Sequence, residues 1–186
     1  MIGYAFCGSF CTLSRSLAQL EALVGPGYEV QPIISERTAT TDTRFFTARE
    51  FVSRVESLCS RRAITTVEGA EPFGSIQPLE QLIIAPCTGN TIAKIAHGVT
   101  DSAVTRAAKA HLRCDRPTLI ALASNDAMSQ NLANLATLLS RKSVYLLPML
   151  QDDPVGKPHS LVAAMERLPE AFDAMLAGRQ LRPLFL

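Results

Sequence analysis

Gly8-Ser9-Phe10, Ser35, Thr88-Gly89-Asn90-Thr91 and Ser124-Asn125 share one property: each small polar group stands directly after a short apolar run. Such residues leave backbone N–H groups accessible where helices begin, and those donors, with the partial positive charge of a helix start, suit an anion such as a phosphate. The same residue types also cap helices, the commonest task for Ser, Thr and Asn in such places. One of them alone therefore carries little weight. The set carries more, because an open α/β sheet gathers the turns after its parallel strands along one edge, where ligands sit. Gly8-Ser9-Phe10-Cys11 is not G-x-G-x-x-G, and no G-x-x-x-x-G-K-[ST] occurs, which argues against a dinucleotide held by either standard loop. A smaller ligand with a single phosphate remains.

The elements that would position these residues alternate along the chain. Ile2 to Cys7, Tyr28 to Ile34, Leu82 to Ala85, Thr118 to Ala123 and Val144 to Leu150 are apolar runs of strand length, with Ile64 to Val67 a briefer candidate. Between them lie helical patterns: Leu13 to Leu23 stopped by Gly25-Pro26-Gly27, Thr47 to Leu58, Thr91 to His97 stopped by Gly98, Asp101 to Arg113, and Asp126 to Leu139. A last helix is predicted near Ser160 to Leu176, and Glu68 to Gln77 is predicted to be irregular. Short, continuously apolar strands separated by helices imply a parallel sheet covered on both faces, a doubly wound α/β fold. With no repeat, and a linker-like piece only at Gln151 to His159, residues 1–186 are expected to form one domain.

Composition excludes several classes. A formal charge of +1, with 47% hydrophobic and 19% charged residues, lacks the basic excess of a nucleic-acid binder. No apolar run approaches the ~20 residues that span a bilayer, and MIGYAFCGSF has neither the charged start nor the cleavage site of a signal peptide. Five scattered cysteines, an odd number, suit a reducing compartment and free thiols. The expectation is a cytoplasmic protein that takes neither nucleic acid nor membrane.

Pro86-Cys87-Thr88-Gly89-Asn90-Thr91, continued by Ala93-Lys94-Ile95-Ala96 and Gly98-Val99-Thr100-Asp101, resembles the P-A-S-A-N-T motif of the flavoprotein family. That family includes phosphopantothenoylcysteine decarboxylase, lantibiotic cysteine decarboxylases and flavin prenyltransferase. Within it, Ala5 to Thr12, Thr41 to Phe45, Ala70-Glu71-Pro72, Ile84 to Arg113, Ser124 to Ala127 and Gln151 to Pro154 together resemble the B subunits of dipicolinate synthases. The resemblance implies a Rossmann-like three-layer fold, bound FMN, and assembly into trimers or larger homo-oligomers with the flavin at subunit interfaces. It implies that Gly8, Ser9 and Phe10 form the first phosphate-contacting turn and that Ser35 supplies the hydroxyl after the second strand. Thr88, Asn90 and Thr91 would touch flavin or substrate, and Ser124 would make the next strand-end contact.

It further implies a partner A subunit that carries NADP. The joint reaction would oxidise dihydrodipicolinate to dipicolinate, pyridine-2,6-dicarboxylate, during sporulation. Two departures from the wider family stand out. The base histidine of the decarboxylases has no counterpart, Glu68 and Glu71 occupying its region, and their P-x-M-N-x-x-M segment is reduced to Ala123-Ser124-Asn125-Asp126-Ala127-Met128. An independent FMN-dependent decarboxylase or prenyltransferase and a non-catalytic scaffold are the alternatives.

Other reactive side chains have plainer readings beside the sharp ones, and no catalytic residue emerges. His97 and His111 lie near helix ends, where a dipole-paired imidazole is ordinary. His111 and Cys114 have ligand-like spacing without a second pair, so no metal is expected. Cys87 is either a nucleophile activated by a helix start or a small buried filler. Glu68 and Glu71 are either acid and base or solvated loop residues. Arg44 could grip a dicarboxylate such as dipicolinate bidentately, or pair with Asp42. Asn90 is the second candidate for substrate contact.

Overall fold

The computed structural model describes residues 1–186. In chain order the first half comprises β1 (Ile2–Phe6), α1 (Leu13–Val24), β2 (Val30–Ile34), α2 (Glu36–Thr40), α3 (Ala48–Cys59), α4 (Val67–Ala70) and β3 (Gln81–Thr88). The second half comprises α5 (Gly89–Ala96), α6 (Ala103–Leu112), β4 (Thr118–Ser124), α7 (Gln130–Leu139), β5 (Val144–Leu146), β6 (Met149–Leu150), β7 (Leu161–Ala163) and α8 (Leu168–Leu176). The sheet runs β2-β1-β3-β4-β7-β6, with β5 paired to β4. Its first four strands and β5 are parallel.

The apolar runs lack alternation because both faces of the sheet are covered. Ala5, Cys7, Leu82 and Ile84 face a cluster with Ile92, Ile95, Ala107 and Leu135 from α5, α6 and α7. Tyr4, Phe6, Ile83 and Ala85 face Leu17, Leu20, Phe51, Val55 and Phe172 from α1, α3 and α8. The result is the doubly wound three-layer α/β architecture. Strand order reverses between β1 and β3, a switch point beyond whose carboxyl ends a crevice opens.

The structure redraws the last quarter of the chain. Val144 to Leu150 is two strands, β5 against the first half of β4 and β6 against β7. The predicted helix from Ser160 begins only at Leu168, because Leu161–Ala163 pairs antiparallel with the upper half of β4, Ala123 opposite Val162 and Ser124 opposite Leu161. β5 ends at Leu146, level with Ile120, so on that side Ala123 and Ser124 would otherwise lack a neighbour. Pro169, in the first turn of α8, also explains the late start, since proline suits that turn and breaks a helix interior. Ile64 makes a single bridge to Ile33, and the predicted irregular stretch holds α4 and a 3-10 turn at Glu71–Gly74.

One core feature makes the fold sensitive to acid. His111 is buried on α6, its Nε2 at 3.0 Å from the Pro117 carbonyl and its Nδ1 without a partner. Burial first, and Arg116 beside it, lower its pKa from 6.5. The unfolded chain therefore takes up this proton before the folded one, and stability present above the unfolded value is lost as pH falls through the folded one. Urea midpoints should drop as pH decreases from about 6.5, and the drop should shrink in His111→Gln. An equally steep drop in that variant would place the acid sensitivity elsewhere.

Candidate functional site

The crevice beyond β1 and β3 is shaped by two tight chain turns. After β1, the Cys7 amide donates to the Pro86 carbonyl at 3.1 Å and Ser9 N–H to the Cys7 carbonyl at 2.8 Å. Thr12 N–H donates to the Ser9 carbonyl at 3.0 Å, and Thr12 Oγ1 donates to the same oxygen at 2.9 Å. β3 carries a register shift between Ile84 and Cys87, the kind of bulge that re-aims the residues following it. Thr88 then caps α5: its Oγ1 accepts the Thr91 N–H at 3.2 Å and lies 3.0 Å from Thr91 Oγ1. The Thr91 amide is thereby satisfied, while those of Gly89 and Asn90, in the first turn of α5, have no acceptor within the helix.

The wall opposite comes from the end of β4. Ser124 Oγ donates to Asp126 Oδ1, as does Asn131 Nδ2 at 2.8 Å, and Asn134 Nδ2 donates to Asn131 Oδ1 at 2.9 Å. The hydrogen bonds from Ser124 and Asn131 lower the pKa of Asp126. Gly89 presses against this chain of side chains. A Cβ there would lie 2.7 Å from Asn131 Nδ2 and 2.8 Å from Asp126 Oδ1, and closer still to Ser124 Oγ. Only glycine lets α5 start so near the neighbouring turn.

Two cavities meet over this junction and share Gly8, Thr88 and Asn90. The first, about 540 Å³, has no apolar side chain on its lining and adds Ser35, Thr91, Arg37 and Lys94. The second, about 730 Å³, adds Ser9, Phe10, Phe45 and Ser124. Gly8, Ser9, Phe10, Ser35, Thr88, Asn90, Thr91 and Ser124, drawn from four separate turns, therefore lie around one continuous crevice. They are not equally free. Ser35 caps α2, lying 2.8 Å from Thr38 Oγ1, and the Ser124 hydroxyl hydrogen is committed to Asp126.

Arg44 lines neither cavity. Its guanidinium lies 4.8 Å from the centre of the Phe45 ring, and Asp42 accepts the Ala48 N–H at 2.8 Å instead of pairing with it. Cys87 is fully buried, and burial pushes its thiol well above the ordinary range. It is a protonated filler beneath Thr88. Glu68 is exposed, and Glu71 pairs with Arg106 at 2.6 Å. His97 bonds its own helix through Nδ1, 2.9 Å from the Ala93 carbonyl. No three His, Cys, Asp or Glu side chains converge as a metal site would require.

Three features of the crevice escape sequence reasoning. Arg37, facing the first cavity, belongs to a five-residue helix that has no periodic signature. Asn131 is joined to Asp126 only by the fold, although the Ser124-Asn125-Asp126 run was a signal for its partner. Asp152, Lys157 and Ser160 line the second cavity because β7 folds back beside β4, whereas the sequence of the first two reads as a linker and Ser160 as the start of a helix.

The sequence profile of the Flavoprotein family matches residues 2–174. The B subunit of dipicolinate synthase from Bacillus subtilis (strain 168) is 40% identical over 185 residues, spanning 100% of this chain and 92% of that one. Flavin prenyltransferase UbiX of Chlamydia muridarum (strain MoPn / Nigg) is 29% identical over 142 residues, 74% of this chain and 70% of that one. Among solved structures, the dipicolinate synthase B subunit from Bacillus halodurans superposes with a TM-score of 0.90 at 39% identity, covering 100% of this chain and 95% of that chain. The FMN-dependent cysteine decarboxylase SpaF shares the fold, with a TM-score of 0.69 at 19% identity and 95% of each chain covered. No helix is long and apolar enough to cross a membrane.

Proposed function

The chain belongs to the flavoprotein family, and from that premise we propose that it is the B component of a two-subunit dipicolinate synthase. It would act as one domain, in the cytoplasm, during sporulation, as a trimer or larger homo-oligomer bound to an A subunit. The observation that carries the reading is the crevice at the β1–β3 switch point, where neutral donors from separate turns stand among both basic and acidic side chains and the space is large enough for a small aromatic anion. The full-length likeness to the Bacillus subtilis B subunit supports it.

In the joint reaction a dihydropyridine dicarboxylate loses a hydride to NADP and a proton, giving the aromatic pyridine-2,6-dicarboxylate and NADPH. The nicotinamide belongs to the A subunit, in keeping with the absence of a dinucleotide loop here. The task of this chain is to bind and orient the anionic ring. Asn90 lines both cavities and Gly89 the larger one, and the Phe10 and Phe45 rings offer flat apolar surface beside them.

The residues present also fit FMN. In the cavity with only polar lining, Glu36 is turned to the Ala103 N–H and Asp101 is paired with Lys94, which leaves Ser35, Thr91 and Arg37 to suit a phosphate and ribityl chain, and the cavity with Phe10 and Phe45 suits the ring system. When bound, the flavin would supply a two-electron acceptor next to the substrate. An independent FMN enzyme is the second reading, favoured by that fit. It predicts a protein that takes up FMN and turns yellow.

The test is to mix purified A and B subunits and follow formation of the pyridine ring by its ultraviolet absorbance. Full activity from A alone would remove the catalytic role. Asn90→Ala and Ser9→Ala together should lower turnover of the assembled enzyme by about tenfold or more, the scale of one or two lost polar contacts. Unchanged turnover would make the chain a scaffold for its partner.

A further inference from the structure

Of the side chains lining the larger cavity, only Lys157 is basic, and it comes from the segment between β6 and β7. That segment has a defined shape. Lys157 N–H donates to the Asp153 carbonyl at 2.8 Å and Ser160 N–H to the Lys157 carbonyl at 3.0 Å. Gly156 N–H donates to Asp153 Oδ1 at 2.8 Å, and Gln151 Nε2 to the Pro158 carbonyl at 3.0 Å. Turns of this kind hold the ammonium at the cavity rim, across from the Gly8-to-Thr12 turn and the start of α5.

Lys157 Nζ lies 3.0 Å from Asp152 Oδ2, with the two side chains 54% and 37% exposed. An ion pair that open contributes little and exchanges its partners readily. The other carboxylate on the lining, Asp126, is already bonded by Ser124 and Asn131 and offers Lys157 no better partner. The remaining lining is neutral and donor-rich. A carboxylate entering this cavity therefore meets one strong cation whose present partner is held weakly.

We propose that Lys157 is a ligand-binding residue that leaves Asp152 to hold a carboxylate of a small dicarboxylate, whose other end meets the Gly89-Asn90 start of α5. Asp152 is then an internal stand-in for the ligand and competes with it. The proposal rests on the reading of this cavity as a substrate site and adds to it the charge that selects the substrate class.

Equilibrium dialysis of the full chain against pyridine-2,6-dicarboxylate and against glutarate tests it, with FMN uptake measured in parallel. Lys157→Gln should bind the wild type's dicarboxylate about tenfold more weakly, the scale of one charge-assisted hydrogen bond. Lys157→Arg should keep most of the affinity, and Asp152→Asn should bind more tightly than wild type because the competitor has gone. FMN uptake should change less than dicarboxylate binding in all three, because Lys157 and Asp152 line the cavity with Phe10 and Phe45 and not the one with Ser35, Thr91 and Arg37. Wild-type affinity in Lys157→Gln, or no carboxylate bound by the wild type, overturns the proposal. Glutarate bound and then lost in Lys157→Gln, with pyridine-2,6-dicarboxylate ignored throughout, would keep the role of Lys157 and overturn the pyridine substrate reading instead.

Discussion

Gly89→Val closes the crevice: uptake of FMN or of pyridine-2,6-dicarboxylate should fall by at least a hundredfold while the chain stays folded. The Cβ alone would overlap Ser124 Oγ, Asn131 Nδ2 and Asp126 Oδ1, and valine adds two methyl groups. None of those atoms is the free end of a flexible side chain. Asp126 Oδ1 is tied to Ser124 and to Asn131, and Asn131 to Asn134, so they move together or not at all. The start of α5 must swing away from β4, taking Asn90 and the first-turn amides with it. Overpacking of this kind costs about 1–3 kcal/mol, which a typical domain survives, so thermal denaturation should show a lowered but cooperative transition. Ligand titration of the same sample is the decisive measurement, and unchanged affinity would mean that the amides of α5 do not hold the anion.

Phe51→Ala should produce the largest loss of stability. Phe51 is 1% exposed, its ring edge-on to Phe6 with centroids 5.2 Å apart and tilted against Phe46 at 5.6 Å. It locks α3 onto the end of β1, immediately before the Gly8-Ser9 turn. Truncating a buried phenylalanine costs about 3–5 kcal/mol through lost burial and the cavity left behind. For a chain of this length that lowers the thermal midpoint by roughly 6–20 °C, at ~2–4 °C per kcal/mol. Phe51→Leu should recover most of it. A shift of less than about 2 °C in Phe51→Ala would mean that Phe6 and Phe46 close the gap themselves.

The parts of the fold legible in the sequence are those where one physical cause acts alone. β1 and β4 are buried on both faces, so an unbroken apolar run was enough to find them, and Thr47 marks a helix start because its hydroxyl caps it, whereas the helix expected from Thr91 begins two residues earlier, at Gly89, capped by Thr88. Ser35 illustrates the limit. The hydroxyl after β2 was legible, but not the five-residue helix it caps, which has too few turns to display a period. β7 was hidden for another reason: three residues take strand form only because β4 outruns β5 and leaves Ala123 and Ser124 without a neighbour on that side. Lys157 was hidden with it, and the Gly89 contact with Ser124 depends on another distant pairing, that of β3 with β4, Thr88 opposite Ala123.

The fork in β4 ties the cavity wall to the end of the chain. Residues 184–186 bond to Met149 on both sides, Met149 N–H to the Leu184 carbonyl and Leu186 N–H to the Met149 carbonyl, each at 2.9 Å. Through Met149 they brace β6, which pairs with β7, which in turn walls the crevice at Val162. The parallel strands are thus complete at Leu146, whereas the cavity wall at Val162 is braced by contacts that reach on to residue 186.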